Sequence, residues 1–187
     1  MRTPSSRRYS TRRPTRTAGF ASCWRPRHRG SECRRAQRPG AARRQARPGE
    51  WLRRRARANQ AAGASRTFVV CRAGFVVGFY CLAAGAVAVT AAPGRVKRNM
   101  PDPIPMAMLG RLAVDRSLHG KGIGRALLRD AVLRVLQASE VLAVRGVLVQ
   151  ALSDDAQQFY QACGFTPSPI DPMTLMATMT DLKAALG

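Results

Sequence analysis

Acidic residues are what this 187-residue chain most lacks: ten carboxylates stand against 32 lysines and arginines, a formal net charge of +22. That excludes an acidic disordered protein, and it excludes an evenly charged enzyme surface along the whole length. Lysine is missing altogether from residues 1–67, where 20 arginines meet only Glu32 and Glu50, for a net of +18. Large aliphatic residues are scarce there too, so the stretch cannot bury enough apolar area to offset its ordering entropy. Residues 68–187 hold 12 basic and 8 acidic residues, net +4, and read as ordinary globular material. Length and composition together fit one domain with a tail.

Paired cysteines are lacking as well. The five cysteines (Cys23, Cys33, Cys71, Cys81 and Cys163) are odd in number and include no CxxC pair, so a reducing cytoplasm is the expected compartment. Cys23, His28 and Cys33 match no common zinc spacing and want a fourth ligand, and no metal is expected. One long charge-free run exists, residues 73–92, and its twenty residues with basic flanks are long enough to cross a membrane. Half of them are Ala or Gly, and Gly74, Gly78 and Gly85 punctuate the run as a bulged hairpin would. We read it as buried strands, with no membrane partner. The preceding basic region is far too long for a signal peptide.

Residues 1–49 show neither a helical nor a strand period. The stretch is a basic arm for nucleic acid, a solvated disordered tail, or a GC-rich gene read out of frame, which yields this mixture of Arg, Pro, Ala and Gly. From Glu50 onward the pattern changes. Residues 50–64 suit a helix ending at Gly63. Thr67–Cys71 and Phe75–Leu82 suit a hairpin about Arg72-Ala73-Gly74, with Val87–Thr90 continuing it. Prolines make 99–105 a loop, since they bar regular pairing. Met106–Val114 is a buried strand. A helix follows from near Gly122, with Ile123, Leu127, Leu128, Ala131, Val135 and Ala138 on its apolar side. Val144–Leu152 is the next strand. Ser153 then caps a helix running to Gly164, whose inner face carries Ala156, Phe159, Tyr160 and Cys163. A last strand lies near Leu175–Met179.

The strongest chemical signal is the strand-to-helix passage from Leu112 to Leu128. Gly120, Gly122 and Gly124 alternate just before the helix, so the backbone turns without Cβ clashes. Successive N–H groups then converge at a positive helix N-terminus, a cradle for a pyrophosphate. A Walker A loop fails, because Lys121 is followed by Gly122, and the dinucleotide fingerprint lacks its third glycine.

These residues resemble the GNAT superfamily of acetyltransferases. The family signature Gln/Arg-x-x-Gly-x-Gly/Ala reads here as His119-x-x-Gly122-x-Gly124, with His119 departing from the usual first residue. A second block is present as Ala156-Gln-Gln-Phe159-Tyr160-Gln-Ala-Cys-Gly164-Phe165. Three further segments resemble the GNAT toxins of bacterial toxin–antitoxin pairs: Leu109-Gly110-Arg111-Leu112-Ala113-Val114-Asp115, the basic segment RRRARANQAAGASRTFVV and Pro167-Ser168-Pro169. The resemblance covers residues 50–187. It implies an α/β (α+β) GNAT fold, a mixed and mostly antiparallel sheet splayed between the family's strands 4 and 5. The family's first strand and helix are not readable in 1–49, so the out-of-frame reading is preferred for that tail.

The resemblance further implies acetyl-CoA as co-substrate, held by Leu112, Ala113, Val114, His119, Gly120, Lys121, Gly122, Ile123, Gly124, Arg125 and Ser153. Ser153 stands where many relatives carry Asn. Main-chain groups of Leu112 and Val114 would grip the pantetheine like an added strand, and an amine would attack the thioester. Tyr160, with an ordinary pKa of ~10, stays protonated at neutral pH and would give the leaving thiolate its proton. Phe79 and Tyr80 either line the acceptor cleft or pack in the core. In those toxins the acceptor is the amino group of aminoacyl-tRNA, and a ribbon-helix-helix antitoxin neutralises them; a homodimer is a further expectation. Arg53, Arg54, Arg55, Arg57, Arg66, Arg95, Lys97 and Arg98 would track RNA phosphates. The competing readings are a GNAT enzyme acting on a protein N-terminus or small amine, and a non-enzymatic Arg-rich RNA-binding protein.

Overall fold

A computed structural model describes residues 51–186 of the chain. The basic tail 1–49 and the Cys23–His28–Cys33 group lie outside the described residues. The first turns, Leu52–Ala56, are wound as a π-helix and pass into α1 (Arg57–Ala61), shorter than the helix expected over 50–64. β1 (Arg66–Arg72) and β2 (Phe75–Val87) form the expected hairpin, and its turn residues Ala73 and Gly74 both take positive φ. That is the conformation a two-residue hairpin turn demands.

β2 does not stop at Leu82. It runs unbroken for 13 residues because β3 (Ile104–Val114) supplies a partner from Gly78↔Val114 to Val87↔Ile104. Two expectations are corrected here. Val89–Ala91 is a 3₁₀ turn rather than more strand, and β3 starts two residues early, through Pro105. Pro105 fits because its carbonyl accepts from Arg145 N on the β4 side, so its donorless nitrogen faces away from β2. A short helix, α2 (Gly94–Lys97), lies in the connection.

α3 (Ile123–Ala138) follows β3, then β4 (Gly146–Gln150) and α4 (Asp154–Gln161). β4 is shorter than the expected 144–152. Ala151 N still donates to the Met173 carbonyl in register, but Met173 N turns to the Asp171 carboxylate instead, and Leu152 is exposed. α4 ends before Gly164, whose φ of 88° lets Phe165 N return to the Tyr160 carbonyl, the closing bond of a left-handed helix terminus. β5 (Thr166–Pro167), β6 (Thr174–Thr178) and α5 (Met179–Leu186) complete the chain. Met179 therefore opens a helix instead of ending a strand.

The sheet order is β1-β2-β3-β4-β6-β5. Every pair is antiparallel except β3–β4, which holds only from Ala107↔Val147 to Leu109↔Val149. β3 continues five residues past that point, so the two strands part. The main core lies on one sheet face, where Leu127, Leu128, Ala131 and Val135 of α3 meet Tyr80, Leu109, Val149 and Leu175. α3 sits close to the sheet at Gly78, where a Cβ would stand 3.0 Å from Leu127 Cδ1. A smaller cluster, including Val96, Ile104, Met106, Leu148 and Met176, fills the other face. There Arg145 Nε donates to the Val96 carbonyl at 3.0 Å and Ser168 Oγ to the Ala91 carbonyl at 2.7 Å, fastening the connection down.

Candidate active site

The parting of β3 from β4 opens a cleft of about 630 Å³. Leu112, Ala113 and Val114 of β3 form one wall, and His119, Gly120 and Gly122 the turn above it. Ile123, Gly124 and Arg125 open α3, and Ala156, Phe159 and Tyr160 of α4 close the other side. The backbone explains the openness. Asp115 N donates to the Val77 carbonyl at 2.8 Å. The alternation of an antiparallel ladder then turns the main-chain groups of Leu112 and Val114 away from β2, toward the cleft. One of them is engaged: His119 Nε2 donates to the Val114 carbonyl at 3.1 Å. The Leu112 groups and the Val114 N–H remain at the strand edge.

The turn is held by Asp115, whose carboxylate accepts from Ser117 N at 2.9 Å and Ser117 Oγ at 2.6 Å. Those bonds hold its pKa below the usual carboxylate value. Gly122, at φ 75°, is the N-cap of α3 and offers no side-chain cap, and the first turn carries no acid. A Cβ at Gly120 or Gly122 would meet no protein atom within 4 Å. The space beside the bare N–H groups thus suits an anion with several oxygens.

Tyr160 is 7% exposed and wedged edge-on between Phe159 and Phe165, with ring centroids 5.2 and 5.7 Å away. Burial, with Cys163 beside it, pushes its pKa up to about 12. The hydroxyl therefore holds its proton at neutral pH while lining the cleft.

Residues 63–167 match the family model described as "Acetyltransferase (GNAT) domain". The chain belongs to the GNAT acetyltransferases. Among curated relatives, the "tRNA-acetylating toxin" of Mycobacterium tuberculosis is 54% identical over 138 residues, covering 74% of this chain and 83% of that one. Among solved structures, "AtaT complexed with acetyl-methionyl-tRNAfMet" superposes with a TM-score of 0.68 at 28% identity, covering 74% of this chain and 85% of that one. "AtaTR bound with AcCoA" gives 0.63 at 29% identity, covering 74% and 84%.

This acetyltransferase uses acetyl-CoA, and the cleft suits it: a bare helix N-terminus for the pyrophosphate, a strand edge for the pantetheine, and a protonated hydroxyl at the gap. The structure brings most of the expected cofactor residues to that cleft, but not Lys121 or Ser153. Lys121 is exposed between the two glycines. Ser153 is spent on α4, where its Oγ accepts from Ala156 N at 3.3 Å. Phe79 and Tyr80 are both buried, at 2% and 0% exposure, on opposite faces of β2.

The expected basic track is divided between elements. Arg53, Arg54, Arg55 and Arg57 stand on the N-terminal helical segment and Arg66 opens β1, while Arg95 and Lys97 are on α2 with Arg98 after it. Arg95 is ion-paired to Asp181 at 3.2 Å. Two groupings escaped the sequence reading. Tyr80 donates its hydroxyl to Asp130, and Arg134 Nε reaches both, at 2.8 Å each. Burial and the Asp130 carboxylate raise the Tyr80 pKa. Trp51, Phe79 and Arg111 meet on the other face. Both join residues tens of positions apart, and only the aromatic content of β2 hinted at them. Among the described residues no helix is long and apolar enough to cross a membrane, and no group of three or more His, Cys, Asp or Glu could hold a metal.

Proposed function

We propose that this acetyltransferase transfers acetyl to the α-amino group of aminoacyl-tRNA and so acts as a translation-blocking toxin. The observation that carries the reading is the close relationship to the tRNA-acetylating toxin, over most of both chains. The bound co-substrate supplies an acetyl group as a thioester. The N–H groups at the start of α3 bind its phosphates, and the Leu112 and Val114 edge of β3 orients the pantetheine. An N–H at the parted β3 edge faces the oxygen that becomes negative. Tyr160 holds the proton that the departing thiolate takes. His119 positions the β3 end through the Val114 carbonyl. Arg53, Arg54, Arg55, Arg57 and Arg66 supply phosphate contacts near the start of the described chain, with Lys97 and Arg98 a second group. The natural partners in this reading are charged tRNA and a ribbon-helix-helix antitoxin, with a second copy of the chain, in the cytoplasm.

The test is transfer of labelled acetyl from acetyl-CoA to charged tRNA. Tyr160→Phe keeps the ring between Phe159 and Phe165, so acetyl-CoA affinity holds while turnover falls about 10²–10⁴-fold. Wild-type turnover in that variant returns Tyr160 to a packing role. Acetylation of peptide N-termini or small amines, with charged tRNA untouched, moves the enzyme to a different acceptor.

A further inference from the structure

The sheet face away from α3 carries a grouping that the transfer chemistry does not use. Trp51 lies parallel to Phe79, with centroids 5.7 Å apart and planes 7° from each other. The Arg111 guanidinium carbon sits over the Trp51 ring, 5.0 Å from its centroid. Phe79 is buried and fixes the indole, whereas Arg111 is exposed and has no carboxylate partner among the described residues. An exposed planar cation held against an indole is a stacking surface for another flat, electron-rich ring.

Its position is specific. Arg111 pairs with Cys81 across a bulge at Gly110, where Leu82 already pairs with Leu109. Leu109 is the last β3 residue bonded to β4, and Leu112 already lines the cleft. Arg111 therefore stands where the strands part, on the face opposite the helix that caps the cleft. The helical segment that begins beside Trp51 adds exposed Arg53, Arg54, Arg55 and Arg57. A flat cation beside an arginine-rich helix has the chemistry of a single-stranded nucleic acid site.

We infer that the Arg111–Trp51 pair stacks the unpaired 3′-terminal base of the charged acceptor. This rests on aminoacyl-tRNA being the acceptor. The amino group to be acetylated hangs on the terminal ribose, so when it reaches the β3–β4 gap its own base lies within one nucleotide of that gap. Arg111 is at that distance along the strand, and the arginines of the helical segment meet the phosphates that follow.

Steady-state kinetics on the full chain test it. Arg111→Ala raises KM for charged tRNA about 10- to 100-fold, the range of one lost base stack, and leaves KM for acetyl-CoA unchanged. Arg111→Lys keeps the charge but not the plane, and KM stays at least about fivefold high. As a binding readout, a CCA trinucleotide quenches tryptophan fluorescence of the wild type. Trp51→Phe and Arg111→Ala both lose that quench. A wild-type KM in Arg111→Lys makes the contact a phosphate one and overturns stacking, as does an unchanged KM in Arg111→Ala. A matching rise in KM for acetyl-CoA overturns it too. Failure of the acceptor reading is separate: the wild type then acetylates no charged tRNA, and the trinucleotide quench alone decides whether the platform exists.

Discussion

Two strand-to-helix junctions stand side by side at the parting of the sheet, and they treat the same problem in opposite ways. Both helices start with N–H groups that have no partner inside the helix. At β4–α4, Ser153 in extended conformation accepts from Ala156 N, and Asp154 and Asp155 follow in the first turn. That end is satisfied internally and is negative. At β3–α3, Gly122 offers no side chain and no acid follows. That end is left positive and unfilled. A phosphate-bearing ligand has only one of the two to choose, and the choice is written in three residues at each junction. The same element serves structure in one place and binding in the other, according to whether its own chain closes it.

The comparison can be broken most severely at Gly122. Gly122→Asp would impose a Cβ on a left-handed residue and set a carboxylate where the phosphates belong. Acetyl-CoA affinity measured by calorimetry should fall by about 100-fold or more. Unchanged affinity would move the cradle elsewhere. At the closed junction the expected effect is smaller and of a different kind. Ser153→Ala should cost about 1 kcal/mol in urea unfolding, with KM for acetyl-CoA unaltered. A raised KM with full stability would return Ser153 to the ligand. The smallest effect concerns pH. Tyr160 is pushed up to about 12, and its active form is the protonated one. Its contribution to turnover should therefore stay flat from pH 7 to about 10 and fall only as pH climbs through that value. A loss centred near pH 8 that disappears in Tyr160→Phe would contradict the assignment.

The open junction was legible because its signals are local: a strand that ends, alternating glycines, then an apolar period of 3.6. The closed junction was read as a cap for the same reason, although Ser153 was also expected to touch the co-substrate. One local signal was overlooked. Thr178 Oγ1 accepts from Asp181 N at 3.2 Å and donates to Asp181 Oδ2 at 2.7 Å, a capping arrangement that announces α5. Other features had no local trace. α2 is four residues long, and Arg145, some fifty positions away, holds it by bonding the Arg95 and Val96 carbonyls. The Tyr80–Asp130–Arg134 group spans a similar distance. The length of β2 came from its partner strand, and Gly85 was no obstacle because the Met108 side chain, diagonal to it on β3, covers the place a Cβ would take.

The bulge at Gly110 sets the phase of everything after it. Leu109 and Leu112 both face the core on either side of it, three positions apart, where an unbroken strand would repeat every two. Straighten the bulge with that residue kept in the ladder and the alternation would run on in step. Arg111 and Ala113 would then turn inward beside Tyr80, while Leu112 and Val114 turned out to water. Straightening the bulge is thus an exchange of the two sides of the strand, whereas deleting Gly110 removes the uncounted residue and leaves both sides as they are. The bulge behaves as a comma in the reading frame of the sheet: Gly110 is the one residue that the alternation does not count.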